Sequence, residues 1–246
     1  MTSLVWSRPV ISRSIHTNIL RTLRVDGRRH PCHDGPMADV VDVNRDHRLD
    51  FAELLAAPGV EEHCELRSTF GFMAYHGGAL EEMTDVIARH AAEQAGASYY
   101  GVHQPRGMRN HISSTRVRPE ESERLAAYLG HVHVVVTVHG FGRRGLFASL
   151  LLGGRNRLLA DHVASHLRPS LPAYDVVTEL DRIPSELRGQ HPLNPVNLPR
   201  GGGVQIELPP RVRGSSPLWW DWEGGLTPHT EALVAALADA AMAWSD

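Results

Sequence analysis

Apolar and polar positions change rhythm along this chain. Residues 1–36 hold no sustained period, whereas from residue 69 onward short apolar runs alternate with stretches of helical spacing. The run at 69–75 predicts a short buried strand ending at His76-Gly77-Gly78, with a helix over 79–94 after it. Residues 98–102 predict a second strand and 120–129 a helix with Pro119 near its first position. The β-branched run 131–139 (HVHVVVTVH) predicts a strand buried on both faces. Strands are expected again at 147–152, 174–178 and 203–208, with a helix over 156–167. A last helix starts at Thr227-Pro228 and runs to about Trp244, with Leu233, Val234, Leu237, Ala240 and Ala241 on one face. Strands separated by helices imply an α/β fold: a single domain with a mixed, mostly parallel sheet flanked by helices.

Composition sharpens this picture mainly by exclusion. The chain has 246 residues, and its 25 basic side chains are all arginine. Without lysine there is no Schiff-base chemistry, no pyridoxal-phosphate lysine and no phosphate-loop lysine. Cys32 and Cys64 are the only cysteines and form no CxxC pair, which excludes a zinc ribbon and a disulfide framework. No apolar run approaches the length of a membrane span, and residues 1–20 lack the apolar core of a secretory signal. A cytoplasmic protein that binds no membrane is the expectation.

Six arginines and two acids fall within residues 1–36, which read as a poorly ordered basic extension, or as the product of a start codon assigned 36 residues early. The working domain is then 37–246. Its 19 arginines face 26 acids, a balance unsuited to general nucleic-acid binding.

Asp42, Asn44, Asp46, Asp50 and Glu53 fall at the spacing of a calcium-binding EF-hand loop. His47 stands where the sharp turn wants glycine, and the preceding HPCHDGPM cannot be the incoming helix. The alternative to a calcium-binding module is an acidic turn leading into a short helix at 51–56.

His76-Gly77-Gly78-Ala79-Leu80-Glu81 carries more chemistry. A histidine at a strand end, two glycines and a carboxylate at the start of the next helix put imidazole and carboxylate into the crevice outside the sheet. His139, followed by Gly140, has the same strand-end placement. Two histidines and one carboxylate leave one tetrahedral position open, the pattern of a catalytic zinc rather than a structural one. A capping carboxylate beside ordinary turn histidines is the plain alternative. His131 and His133 share the strand with His139, but His133 is expected about 20 Å from it, too far to share a metal.

Glu207, in GVQIELPP, is a carboxylate inside an apolar run at a third strand end, suited to a general base. Pairing with Arg211 or Arg213 is the competing reading. Arg106, Arg109, Arg116 and Arg118, beside His111, make a candidate anion-binding loop, and Gly153-Gly154-Arg155-Asn156-Arg157 opens a helix whose first amides could hold an anion. Neither GxSxG nor HExxH is present.

In order, YHGGALE (75–81), NHISST (110–115), VHG (138–140), GGRN (153–156) and NPVNLPRGGGVQIELPPRVR (194–213) resemble the phage and bacterial poly-γ-glutamate hydrolases, a branch with a zinc-carboxypeptidase-like fold. The resemblance implies that His76, Glu81 and His139 bind zinc, that Glu207 is the catalytic carboxylate, and that His111, Asn156 and Arg211 lie in the cleft. One departure is Glu82-Met83-Thr84, where the family commonly has a Pro-Gly-Thr turn. It bears on where the next helix starts.

The expected activity is zinc-dependent hydrolysis of γ-glutamyl amides in a polyanionic substrate. Arg109, Arg157 and Arg211 are the candidates for reading its carboxylates. The runner-up is another γ-linked or carboxy-terminal peptide, such as cell-wall peptide, cut by the same machinery.

Overall fold

The computed structural model describes residues 49–245. The basic extension 1–36 and three of the five calcium-loop positions, Asp42, Asn44 and Asp46, lie outside them. Asp50 and Glu53 lie within, and each is occupied by the other in a capping box. Asp50 Oδ1 accepts from Glu53 N and Glu53 Oε2 from Asp50 N, both at 2.9 Å, and together they open helix α1 (Phe51–Ala56).

Seven strands form one sheet: β1 (Glu61–Glu65), β2 (Phe70–Gly78), β3 (Ser98–Gln104), β4 (Val134–Gly140), β5 (Ser149–Leu152), β6 (Asp175–Val177) and β7 (Gly203–Leu208). Their spatial order is β1-β3-β2-β4-β7-β5-β6. Four neighbouring pairs are parallel, and β1/β3 and β5/β7 are antiparallel, which agrees with the mixed, mostly parallel sheet expected from the sequence. Helices α2 (Thr84–Ala95), α4 (Arg157–Ser170) and α5 (Pro228–Ala243) cover one face, where Phe72, Val136, Val138 and Ile206 are buried among their apolar residues. Helices α1 and α3 (Glu123–His131) cover the other, over Met73, Tyr75 and Val135. Burial on both faces is why β4 is an almost unbroken valine run. Among the described residues no helix is long and apolar enough to cross a membrane.

Three departures from the sequence pattern stand out. β1 (EEHCE) has no apolar alternation to announce it; it is a charged edge strand paired only with β3. β4 starts at Val134, because His131 completes α3, capped at its start by Ser122, and His133 lies in the connection. α2 starts at Thr84 rather than 79, because Met83 takes a left-handed conformation (φ 73°) that stops a helix from running through it. Among the described residues Met83 is the only non-glycine so placed, and it stands at the middle position of the departure noted above.

Candidate metal centre and active site

β2, β4 and β7 are neighbours whose carboxyl ends open on the same edge, so His76, His139 and Glu207 meet although they are far apart in the chain. His139 and Glu207 are directly opposed in the β4/β7 ladder. Strand alternation alone would send His76 to the face of Phe70, Phe72 and Ala74. An irregularity in the β2/β3 register between Ala74 and Gly77 sets Tyr75 and His76 together against one residue of β3. Such a bulge re-aims a side chain, and here it brings His76 beside Tyr75 and His139, with ring centroids 4.8 and 5.0 Å away.

Gly77 and Gly78 then turn the chain against β3. A Cβ on Gly78 (φ +70°) would sit 2.1 Å from the carbonyl oxygen of Gln104. The turn is held by Glu81 N donating to His76 O at 2.9 Å, which brings the Glu81 carboxylate back over the strand ends.

Glu81 lies between the two imidazoles. Its Oε1 is 2.8 Å from His76 Nδ1, and its Oε2 is 3.3 Å from His139 Nδ1 and accepts from Gly140 N at 2.9 Å. One donor atom from each of His76, Glu81 and His139 falls within 4.8 Å of the others. The far nitrogens are engaged elsewhere: His76 Nε2 is 2.8 Å from Ile112 O, and His139 Nε2 is 3.0 Å from Tyr75 Oη. A histidine that gives its remote N–H to a carbonyl or hydroxyl keeps its near nitrogen as a lone pair, the usual support for a metal ligand. The donor set, two imidazoles and one carboxylate on buried strand ends, fits a borderline cation such as zinc with a position to spare.

The charges in this pocket shift one another. Burial alone would lift the Glu81 carboxyl, but the imidazoles of His76 and His139 outweigh it and hold Glu81 well below the usual carboxylate range. For His76, burial pushes down, but the Glu81 charge and the hydrogen bonds to Glu81 and Ile112 O together outweigh it, so its value ends raised. Glu207 goes the other way. Burial, with help from the Glu81 charge, pushes it up to about 7 against the opposing effects of His139, the Gln205 amide and Arg213. Its Oε1 accepts from Gln205 Nε2 at 2.8 Å; an amide, rather than Arg211 or Arg213, is its hydrogen-bond partner.

Two adjoining hollows lie outside these strand ends. One, of about 400 Å³, has His76, Glu81, His139 and Glu207 in its lining together with Ser113, Ser114 and His111. The other, of about 370 Å³, shares Ser113, Ser114, Glu186 and Gln205 with the first and extends to Gln190, His191 and Asn194. The segment around His111 is fixed to the end of β3: Gln104 Nε2 donates to Asn110 O and Asn110 N to Gln104 Oε1.

The sequence-derived residues divide accordingly. His76, Glu81, His139 and Glu207 converge, and His111 lies at the cleft with its ring 5.0 Å from that of His76. The arginines expected to read carboxylates are elsewhere, and none lines either hollow. Arg109 is exposed outside them. Arg157 is spent on the main chain, donating to the carbonyls of Leu152, Gly153, Gly154 and Thr178. Asn156 caps α4, accepting from Leu159 N at 2.8 Å and donating to Gly201 O at 3.0 Å. Arg211 lies over the Tyr174 ring, 5.4 Å from its centroid, among the residues that cover the opposite face.

Sequence reasoning did not find Tyr75 and Gln205 as parts of the centre, although both sit inside motifs that it singled out. Arg213, considered there only as an alternative partner for Glu207, lies beside the centre. This buried cation donates to Leu208 O at 3.1 Å and to Glu82 O, packed so tightly behind Gly140 that a Cβ there would meet its guanidinium at 2.8 Å.

Among curated proteins, none matches the chain. Among solved structures, a bacteriophage poly-gamma-glutamate hydrolase superposes with a TM-score of 0.62 at 20% identity, covering 74% of this chain and 87% of its own. YNDL, solved in a zinc-free apo form, superposes with the same score and identity over 77% of this chain and 94% of its own. The sequence profile of the poly-gamma-glutamate hydrolases matches residues 50–216, a span that takes in all four converging residues and the whole of the described sheet. The chain therefore belongs to the poly-gamma-glutamate hydrolase family and is an amide-bond hydrolase.

Proposed function

We propose that the chain is a zinc-dependent hydrolase of γ-glutamyl amide bonds in poly-γ-glutamate. The observation that carries this reading is the convergence of His76 Nδ1, Glu81 and His139 Nδ1 beside a buried Glu207. Membership in the family supports the substrate, and the zinc-free description of YNDL supports zinc as the cation.

His76, Glu81 and His139 would hold the ion. When bound, zinc supplies Lewis acidity, polarising the scissile carbonyl and acidifying a water. The chain's own residues do the rest. Glu207, seated by the Gln205 amide and with an affinity for protons matched to neutral pH, takes the proton of the attacking water and returns it to the departing amine. The burial of His76, His139 and Glu207 lowers the local dielectric, which strengthens every charge acting on the reacting atoms. His111 and the hydroxyls of Ser113 and Ser114 provide the hydrogen-bonding wall against which the substrate lies.

A second reading is favoured by the absence of arginine, among the described residues, from the cleft lining. The same four residues would then serve a less highly charged amide, such as a γ-linked peptide of cell-wall material. Incubation of the zinc-loaded protein with poly-γ-glutamate, following chain length, tests the choice. Shortening of the polymer is expected. An intact polymer beside a cleaved γ-glutamyl peptide or muropeptide would overturn the substrate assignment in favour of the second reading.

A further inference from the structure

Tyr75, Asn194 and Gln205, all buried, form an unbroken line of hydrogen bonds from His139 to Glu207. Tyr75 Oη lies 3.0 Å from His139 Nε2 and 3.4 Å from Asn194 Oδ1. Asn194 Nδ2 donates to Gln205 Oε1 at 2.8 Å, and Gln205 Nε2 donates to Glu207 Oε1 at 2.8 Å. A carboxamide can be turned end for end, so the direction of such a line must be fixed by a group that cannot turn.

That group is the backbone N–H of Val196, which donates to Asn194 Oδ1 at 3.2 Å where Asn194 caps the single 3-10 turn Pro195–Asn197. A main-chain N–H only donates. Asn194 must therefore present its oxygen to Val196 and its NH2 to Gln205. Gln205 must in turn present its oxygen to Asn194 and its NH2 to Glu207, with Leu187 O as a further acceptor at 3.4 Å. The chain around Gly189 (φ +61°) closes over this amide so tightly that a Cβ there would lie 2.7 Å from Gln205 Oε1.

The same choice propagates the other way. Asn194 Oδ1 accepts, so Tyr75 spends its single hydroxyl proton on it. Tyr75 Oη is left to accept from His139 Nε2, with the Ser114 hydroxyl as a neighbouring hydrogen-bond partner. A neutral imidazole that donates from Nε2 carries its lone pair on Nδ1, the atom that faces Glu81.

We propose that Asn194 is a positioning residue that acts in two directions, fixing the Nδ1 lone pair of His139 through Tyr75 and the seat of the Glu207 carboxylate through Gln205. The catalytic consequence rests on the zinc-hydrolase reading; the direction of the bonds rests on geometry alone.

Two variants divide the line. Tyr75→Phe removes the acceptor for His139 Nε2 and is expected to weaken zinc binding about tenfold, the size seen for such supporting groups, with activity recovered by added zinc. Gln205→Met removes the donor to Glu207 and is expected to lower kcat about tenfold or more at constant KM, a loss that added zinc does not recover. Asn194→Leu should show both defects. Asn194→Asp, which keeps an acceptor for Val196 and Tyr75 but has no N–H for Gln205, should show chiefly the second.

A merely structural role would lower Tm in all four without this split, and zinc affinity and kcat moving together in Tyr75→Phe and Gln205→Met would overturn the proposal. Ring-nitrogen NMR at pH 8 on metal-free Glu81→Ala protein, in which no carboxylate competes for the ring proton, tests the direction without turnover. The proton of His139 is expected on Nε2, and a proton on Nδ1 would also overturn it. A protein that binds zinc but cleaves no γ-glutamyl amide would sink the substrate reading, while the NMR and zinc-affinity results would still decide the role of Asn194.

Discussion

Glu207→Gln should move stability and activity in opposite directions. The Glu207 carboxyl is raised from 4.5 to about 7, first by burial and then by the charge of Glu81. An acid raised in this way holds its proton more tightly in the folded chain than in the unfolded one. Below pH 4.5 both states are protonated and folding suffers no cost. Between 4.5 and about 7 the cost of burying the ionised form grows, and above that it is complete. At about 1.4 kcal/mol per pH unit the full cost is about 3 kcal/mol.

Glutamine keeps an oxygen for the Gln205 amide and carries no charge, so in chelator at pH 8 the variant should melt above the parent. For a folded unit of this size, 3 kcal/mol corresponds to about 6–12 °C, an upper limit because any misfit of the new amide subtracts from it. The assay is thermal unfolding of both proteins in chelator from pH 5 to 8, where the two curves should start close together and diverge. Zinc should narrow the gap, since a neighbouring cation favours the ionised carboxylate. Zinc-saturated Glu207→Gln should lose about 10²–10⁴ in kcat, roughly 3–5 kcal/mol of barrier. Equal melting temperatures at pH 8 in chelator, or a more stable parent, would refute the electrostatic account of this carboxyl.

Other substitutions check the remaining assignments. Metal analysis of the parent should find about one zinc per chain and His76→Ala none, with hydrolysis lost alongside it; a His76→Ala protein that retains its zinc would remove the proposed ligand set. Arg157→Ala cuts the bonds to four main-chain carbonyls and should cost about 1–3 kcal/mol in denaturant unfolding at unchanged KM; a raised KM with intact stability would return Arg157 to the substrate. Gly78→Ala places a Cβ 2.1 Å from the Gln104 oxygen at a left-handed φ, and a melting curve should show a loss of about 2 kcal/mol or more together with weakened zinc binding.

The parts of the centre legible in the sequence are those that local pattern determines. A histidine at the end of an apolar run followed by glycine marks a strand end, and His76 and His139 both carry that mark. Glu207 stands out as a charge inside a strand. What pattern could not supply is direction. The bulge that swings His76 round depends on pairing with β3, and the five-residue gap between the end of β2 and the start of α2 depends on Met83 taking a conformation usually left to glycine.

The surroundings of the arginines were illegible for the opposite reason. Their number says nothing about which carbonyl or ring lies beside each, and Arg157 and Arg211 are claimed by Thr178 O and Tyr174. Tyr75 and Asn194 stand 119 residues apart, so their contact leaves no local trace. β1, an acidic edge strand, was invisible because its pairing is with a neighbour rather than with a core.

β7, the last strand along the chain, fills the middle of the sheet between β4 and β5. A ribosome therefore delivers this molecule with its keystone last. By the time Gly140 has been made, the three proposed metal ligands exist, but the strand that joins the two parts of the sheet and brings Glu207 to them has yet to be synthesised. A chain halted ahead of β7 lacks Glu207, and its β5 and β6 lack the neighbour that ties them to the rest. One strand thus both closes the sheet and sets Glu207 opposite His139.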